Sequence, residues 1–110
     1  MSIKHLSFDD SASIAFGSLT GTYANLLSMA DDADFIFIFN TCDAAVYLSI
    51  PSGFLNTKPP TVTYKNIRLP AKTSMAIDAR TNSKRIAKGV IQVKYDTAPT
   101  LGEVTVTVAR

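Results

Sequence analysis

The side chains of this sequence that could do chemistry are few and scattered. His5 is its one histidine and Cys42 its one cysteine. Catalysis by a nucleophile and a base needs a group poised near neutral pH and held against a partner. His5 lies close to a terminus, where a fixed triad is hard to build. Zinc takes three or four His, Cys or carboxylate ligands, a count that one His and one Cys do not meet. Asp31, Asp32 and Asp34 offer oxygen ligands but not at the spacing of a calcium-binding EF-hand loop, and they read as a solvated acidic loop. Gly17-Ser18-Leu19-Thr20-Gly21-Thr22 lacks the lysine that completes a phosphate-binding loop, so its glycines read as turn residues. The sequence therefore implies no enzyme, no metal and no cofactor.

Charge is distributed unevenly. From Lys58 to Lys94 there are nine Lys or Arg residues and one acid, Asp78. Phosphates reward clustered cations, but only Tyr64 and Tyr95 accompany these charges, too few for a platform on which bases stack. An electrostatic contact with protein is favoured over nucleic acid. Residues 1–55 carry one base against six acids, a balance of −5, and residues 56–110 carry ten bases against three acids, a balance of +7. Either the two halves interleave and neutralise each other in one fold, or acidic and basic patches sit apart and meet between subunits.

With 110 residues the chain is expected to form a single domain with one core. Hydrophobic residues make up 46% and charged residues 18%, against about 25% charged in an ordinary soluble domain. A surface so poor in charge suits a protein partly covered by neighbours, although a well-packed monomer rich in Ser, Thr and Ala reads the same way. No apolar run reaches the ~18 residues that span a bilayer, and none of signal-peptide length follows Met1, so synthesis and assembly in a cytoplasm are expected. Cys42, alone, is expected to act as a small buried hydrophobe.

The pattern is that of strands. Val104, Val106 and Val108 alternate with threonines, and Ile91, Val93 and Tyr95 alternate with polar residues. The Pro99 and Gly102 between them predict an antiparallel hairpin with a loop of about six residues. Val46, Leu48 and Ile50 make another alternating strand, ended by Pro51-Ser52-Gly53. Further short strands are expected at Ile67–Leu69, Ser74–Asp78 and Arg85–Lys88, and weaker ones at Ile3–Phe8 and Ile14–Phe16. Ala24, Leu27 and Met29 could share one side of a segment readable as short helix, loop or strand. Thr57-Lys58-Pro59-Pro60 looks like a protruding loop. Phe35 to Phe39, Phe-Ile-Phe-Ile-Phe, is apolar on both faces, yet a sandwich strand has only one face on the core. A loop or a second subunit must cover the other. The expected fold is an all-β antiparallel sandwich, jelly-roll-like, of seven or eight short strands.

Three segments, Asn40 to Ser49, Leu69 to Asn82 and Gly89 to Val104, resemble small virion proteins of tailed bacteriophages. The likeness lies in a polar turn before a Val and Ser strand, a Leu-Pro-Ala turn before a strand closing on Asp and Asn, and the last two strands. It covers roughly half the chain. The sequence departs from the pattern at Pro51-Ser52-Gly53 and the excursion to Pro60, where an Asp-Gly turn is expected. The resemblance implies a β-sandwich located in the virion: a self-associating decoration or cement protein bound to the major capsid protein, or a head-to-tail connector or tail component. A trimer would suit a local threefold axis of a capsid, a hexamer or dodecamer a neck ring. A carbohydrate-binding sandwich is the alternative, disfavoured by the absence of Trp.

The residues expected to meet a partner are Phe8 and Phe16, in an N-terminal stretch (residues 1–16) read as an arm or an edge strand, Phe35 and Phe37 on the doubly apolar strand, and Lys84 and Arg85 in the basic segment.

Overall fold

The computed structural model describes residues 8–51, 63–79 and 86–110. Among these described residues eight strands follow one another: β1 (Phe8–Ala15), β2 (Ala24–Met29), β3 (Phe35–Asn40), β4 (Val46–Pro51), β5 (Thr63–Leu69), β6 (Thr73–Asp78), β7 (Gly89–Tyr95) and β8 (Glu103–Ala109). They form two four-stranded antiparallel sheets, β1-β8-β3-β6 (sheet A) and β2-β7-β4-β5 (sheet B).

The pairings nest. β1 pairs with β8, β2 with β7, β3 with β6 and β4 with β5, so the chain runs as one long hairpin folded back at β4–β5. Contacts of β3 with β8 and of β4 with β7 roll that hairpin into two layers, which is the jelly roll.

Alternation decides which residues face inward, because successive side chains of a strand point to opposite faces. Ile36 and Ile38 of β3 and Val104, Val106 and Val108 of β8 are fully buried from sheet A, opposite Val46, Leu48 and Ile50 of β4 and Ile91 and Val93 of β7. Burying such a side chain is worth about 1.5–3 kcal/mol before ordering costs, so the four central strands anchor the fold. Edge strands contribute partly buried residues such as Ile14, Ile67, Met75 and Ile77.

Several expectations are corrected. Ile91 to Tyr95 and Val104 to Val108 do not pair as a hairpin: β7 lies in sheet B and β8 in sheet A. Both have one apolar face, and those faces meet across the core, so residues 96–102 pass between layers. Of the strand expected at Arg85–Lys88, Arg85 lies outside the described residues and Ile86 to Lys88 form none; Ile86 makes one isolated bridge to Ala33, with N···O distances of 2.8 and 2.7 Å. The segment of Ala24, Leu27 and Met29 is strand β2. A bulge between Asn25 and Leu27 interrupts its period of two, which is why its apolar spacing imitated a helix. Near the start, β1 runs unbroken to Ala15 and Phe16 opens a 3-10 turn. Ile3 and the Thr57 to Pro60 loop lie outside the described residues.

Candidate docking surface

Phe35, Phe37 and Phe39 project from the outer face of sheet A, the side of β3 opposite Ile36 and Ile38. Phe35 and Phe37 are half-buried and Phe39 is 43% exposed. The Phe37 and Phe39 rings lie 6.3 Å apart, tilted by 41°. Residues opposite one another on paired strands share a face, so the register places the row Ser13, Thr105, Phe39, Ser74 across the sheet and, beside it, the row Ser11, Thr107, Phe37, Ala76. Ser13 and Thr105 share a hydrogen bond of 3.0 Å. The face is thus an aromatic ridge flanked by hydroxyls and methyls, with Glu103 and Asp78 at its two ends. No Lys or Arg occurs in any of its four strands.

The outer face of sheet B has the opposite character. Its strands contain Lys65, Arg68 and Lys94 and no Asp or Glu. Arg68, Tyr47 and Lys94 stand in one row across β5, β4 and β7. Tyr23, just before β2, extends its ring along this face. Its hydroxyl donates to Asn66 Oδ1 at 2.9 Å and accepts from the Asn66 backbone N–H at 2.7 Å, and Lys94 Nζ sits 4.9 Å from its ring centre. Asn66 takes a φ of +59°, a conformation asparagine tolerates better than most residues, inside the bulge between β4 and β5. Gln92 donates to Asn25 at 2.9 Å in the next row.

The three exposed large apolar side chains among the described residues, Phe16, Phe39 and Leu101, gather at one end of sheet A. Phe16 N–H bonds to Gly102 O at 3.0 Å, and Thr41 N–H bonds to Glu103 O at 2.9 Å. The segments that carried the virion-protein resemblance interlock at this same end. The Asn40 amide, fully buried, donates to the carbonyls of Ala44, Leu69 and Pro70 at 3.1–3.2 Å and accepts from Cys42 N–H at 2.9 Å. Asp43 accepts from the backbone N–H of Thr100 at 2.8 Å and from its hydroxyl; these bonds hold the Asp43 carboxyl below its usual pKa. Cys42 is fully buried, and burial, with lesser contributions from Asp43 and Glu103, raises its thiol pKa. A shallow depression of about 370 Å³ opens here, lined by residues including Asp43, Tyr47, Arg68 and Asp96.

At the other end Arg110 reaches Asp10 Oδ2 at 3.1 Å and the carbonyls of Asp31 and Asp32 at 3.2 and 3.1 Å. Among the described residues no group of three or more His, Cys, Asp or Glu is placed to hold a metal, and no helix is long and apolar enough to cross a membrane.

Of the expected partner residues, Phe35 and Phe37 lie together on the ridge and Phe16 stands at the apolar end. Phe8 opens β1 opposite Ala109 of the same chain. Lys84 and Arg85 fall outside the described residues. Phe39, the most exposed of the ridge, belonged to the strand expected to need cover but was not named among the partner residues, and Arg68 and Lys94 were counted only within the basic segment. The alternation in Phe35–Phe39 already placed all three phenylalanines on one side. Pairing β4 with β5 and β7 was needed to bring Arg68 and Lys94 together.

No protein-family model and no curated protein matches this chain. Solved structures share its fold. PirA matches with a TM-score of 0.53 and 11% identity over 97% of this chain and 99% of that one. A chain of the Bacillus endospore appendages, disulfide-linked pili, matches with a TM-score of 0.52 and 14% identity over 98% and 89%. A chain of the T13 IBDV viral particle matches with a TM-score of 0.39 and 15% identity over 94% of this chain and 31% of that one, a likeness too slight to weigh. The protein belongs, by fold, to the jelly-roll sandwiches.

Proposed function

We propose that this chain, as one jelly-roll domain, is a self-associating structural subunit of a bacteriophage virion, binding the capsid lattice as a decoration or cement protein. The observation that carries this reading is the ridge of Phe35, Phe37 and Phe39 on a sheet face of small residues without cations. A solvated sheet face normally carries charged and polar side chains. An aromatic ridge there suits a protein neighbour, which supplies the cover that the doubly apolar strand requires. Viral capsid domains are among the proteins that use jelly rolls, a fold-level analogy, and the three resemblance segments point the same way. Many identical sites on a lattice let modest contacts per copy suffice.

Mass measurement of the purified chain across concentration tests self-association, and co-sedimentation with phage capsids tests docking. A strictly monomeric particle without affinity for capsids overturns the proposal. Copies in the hundreds per particle fit a capsid coat; a dozen or fewer fit a connector or tail part.

A pilus-type fibre subunit is the second reading, favoured by the fold shared with the endospore appendages. Its cohesion would have to be non-covalent within the described part of the chain, since Cys42 is buried.

A further inference from the structure

We infer that two copies of this chain join edge to edge, β6 of one pairing antiparallel with β6 of the other about a two-fold axis at Ala76. The inference rests on the proposed self-association and specifies its geometry. Its basis is the difference between β6 and the other sheet edges. Among the described residues β1, β2, β5 and β6 are the edge strands. A bare edge is a row of backbone donors and acceptors, and bulges or cationic side chains along it deter a second chain. The pairing of β1 is interrupted between Phe8 and Asp10 and that of β2 between Asn25 and Leu27. β5 is interrupted opposite Leu48 and Ile50 and carries Lys65 and Arg68. β6 keeps six successive register pairs with β3 without a shift, and from Thr73 to Ile77 it has neither proline nor charge. The regular edge that a second copy offers to β6 is therefore β6 itself.

The register with β3 decides which backbone groups of β6 face outward. Ala79 N–H bonds to Asp34 O at 2.9 Å, and along an antiparallel pair hydrogen-bonded and non-bonded positions alternate. Counting back from Ala79, the backbones of Ile77, Met75 and Thr73 bond to β3, and the N–H and C=O of Ala76 and Ser74 point to the open edge. The other side of β3 agrees: Thr41 N–H bonds to Glu103 O at 2.9 Å, so Phe39 and Phe37 turn their backbones to β8 and away from Ser74 and Ala76. With the axis at Ala76, the two Ala76 residues stand opposite each other and exchange both of these bonds.

The inner side of β6 fits the same axis. Ile36 and Ile38 are fully buried, but Ile77 and Met75 opposite them are only partly buried, because the sheet ends beside them. Pairing about Ala76 sets Met75 of each copy opposite Ile77 of the other, at non-bonded positions where Cα atoms approach to about 4.5 Å. Moving the axis to Met75 would set Ile77 against Thr73, and moving it to Ile77 would set Met75 against Ala79; both give up that apolar pair. A contact of one edge with the same edge closes on itself, so the product is a dimer. Its main-chain bonds are those of strand addition. The two A sheets then form one sheet of eight strands with both phenylalanine ridges on one face. Four strands about six residues long measure roughly 20 by 19 Å, or about 400 Å² in plan. Eight strands reach about 800 Å², the area per partner of a standard interface, so the dimer offers the capsid a full docking face where one chain offers half.

The test uses the full chain in analytical ultracentrifugation across concentration, with the fold of each variant checked by circular dichroism and melting. Ala76→Pro removes an outward N–H and no bond to β3, a position at which an edge strand accepts proline. It should melt near the parent chain yet associate at least ~10-fold more weakly, about 1.4 kcal/mol. Should it fold poorly, Ala76→Lys replaces it and sets two ammonium groups together at the axis. Ala76→Cys reads the register. Its two Cα atoms would stand about 5.5 Å apart, within disulfide reach, so mild oxidation should give a covalent dimer. Ser74→Cys, with its two copies about 14 Å apart across the axis, should give none. Cys42 is buried and does not compete. If the parent dimerises and the Ala76→Pro or Ala76→Lys variant dimerises equally, this edge is unused; the inference falls while the proposed self-association stands. If that variant is weakened but Ala76→Cys does not cross-link, or Ser74→Cys cross-links as well, β6 meets a different strand or register and the two-fold inference falls. A parent chain that stays monomeric at every concentration overturns the inference and the self-association beneath it.

Discussion

A Cβ atom on Gly102 would lie 2.4 Å from the carbonyl oxygen of Thr41. It would also lie 2.6 Å from the backbone N and Cα of Cys42. The φ of Gly102 is +92°, a conformation that side-chain-bearing residues rarely adopt. The connection between β7 and β8 therefore passes the β3–β4 loop at a distance only glycine permits. Gly102→Ala should destabilise the fold by about 3 kcal/mol or more, through backbone strain and displacement of the loop. Urea unfolding of the variant checks this; a loss below about 1 kcal/mol would show that the two loops separate easily.

Asn40 joins the β3–β4 loop to the β5–β6 turn from a fully buried position. Asn40→Ala leaves the Cys42 N–H and several carbonyls without that partner, at an expected cost of about 2–4 kcal/mol. Asn40→Asp should cost more at neutral pH, because it aims an ionised carboxylate at three carbonyl oxygens in a buried site. Comparing the two variants by thermal melting separates the loss of volume from the loss of the donor.

The bonds from Thr100 stabilise ionised Asp43 and hold its carboxyl below its ordinary pKa of 3.8. Their contribution is fully present above the ordinary carboxylate range. It falls as pH drops through that range and is gone below the folded-state pKa. Asp43→Asn should therefore lose stability less steeply than the parent between about pH 4 and pH 2. Parallel acid limbs for the two proteins would show that the Asp43–Thr100 contact is unimportant to acid unfolding.

The Cys42 thiol is fully buried and its ionisation is disfavoured, and thiolate is the reactive form. A thiol reagent at pH 8 should label the native chain at least ~100-fold more slowly than the urea-unfolded chain, because labelling must wait for local opening. Equal rates would place the sulfur at the surface and reopen disulfide linkage between copies.

Much of the inner surface was legible in the alternation of the chain. Val104, Val106 and Val108, Ile91 and Val93, and Val46, Leu48 and Ile50 all read as one apolar face and all face the core, since Cβ direction follows sequence parity in any strand. The same parity set Phe35, Phe37 and Phe39 apart from Ile36 and Ile38. Where parity broke, at the bulge between Asn25 and Leu27, the reading stayed open between helix, loop and strand.

The candidate surface was only half legible. Its aromatic ridge lies within five consecutive residues of one strand, but the face opposed to it is assembled from Arg68, Tyr47 and Lys94, which come from three strands. The expected β7–β8 hairpin failed for a related reason. A short turn-rich connection suits a hairpin and a passage between sheets equally, and the choice fell to apolar faces that had to meet across the core.

The sequence by itself determined that the chain forms strands, which side of most of them is apolar, and that Phe35 to Phe39 has a greasy side to spare. These follow from side-chain type and the two-residue repeat of an extended chain. Only the tertiary structure decided which strands are neighbours, and with that the nested pairing, the lock of Gly102 on Thr41 and the row of Arg68, Tyr47 and Lys94 on sheet B. Strand partners are chosen by burial and hydrogen bonding between residues distant in the chain, and no local pattern records that choice.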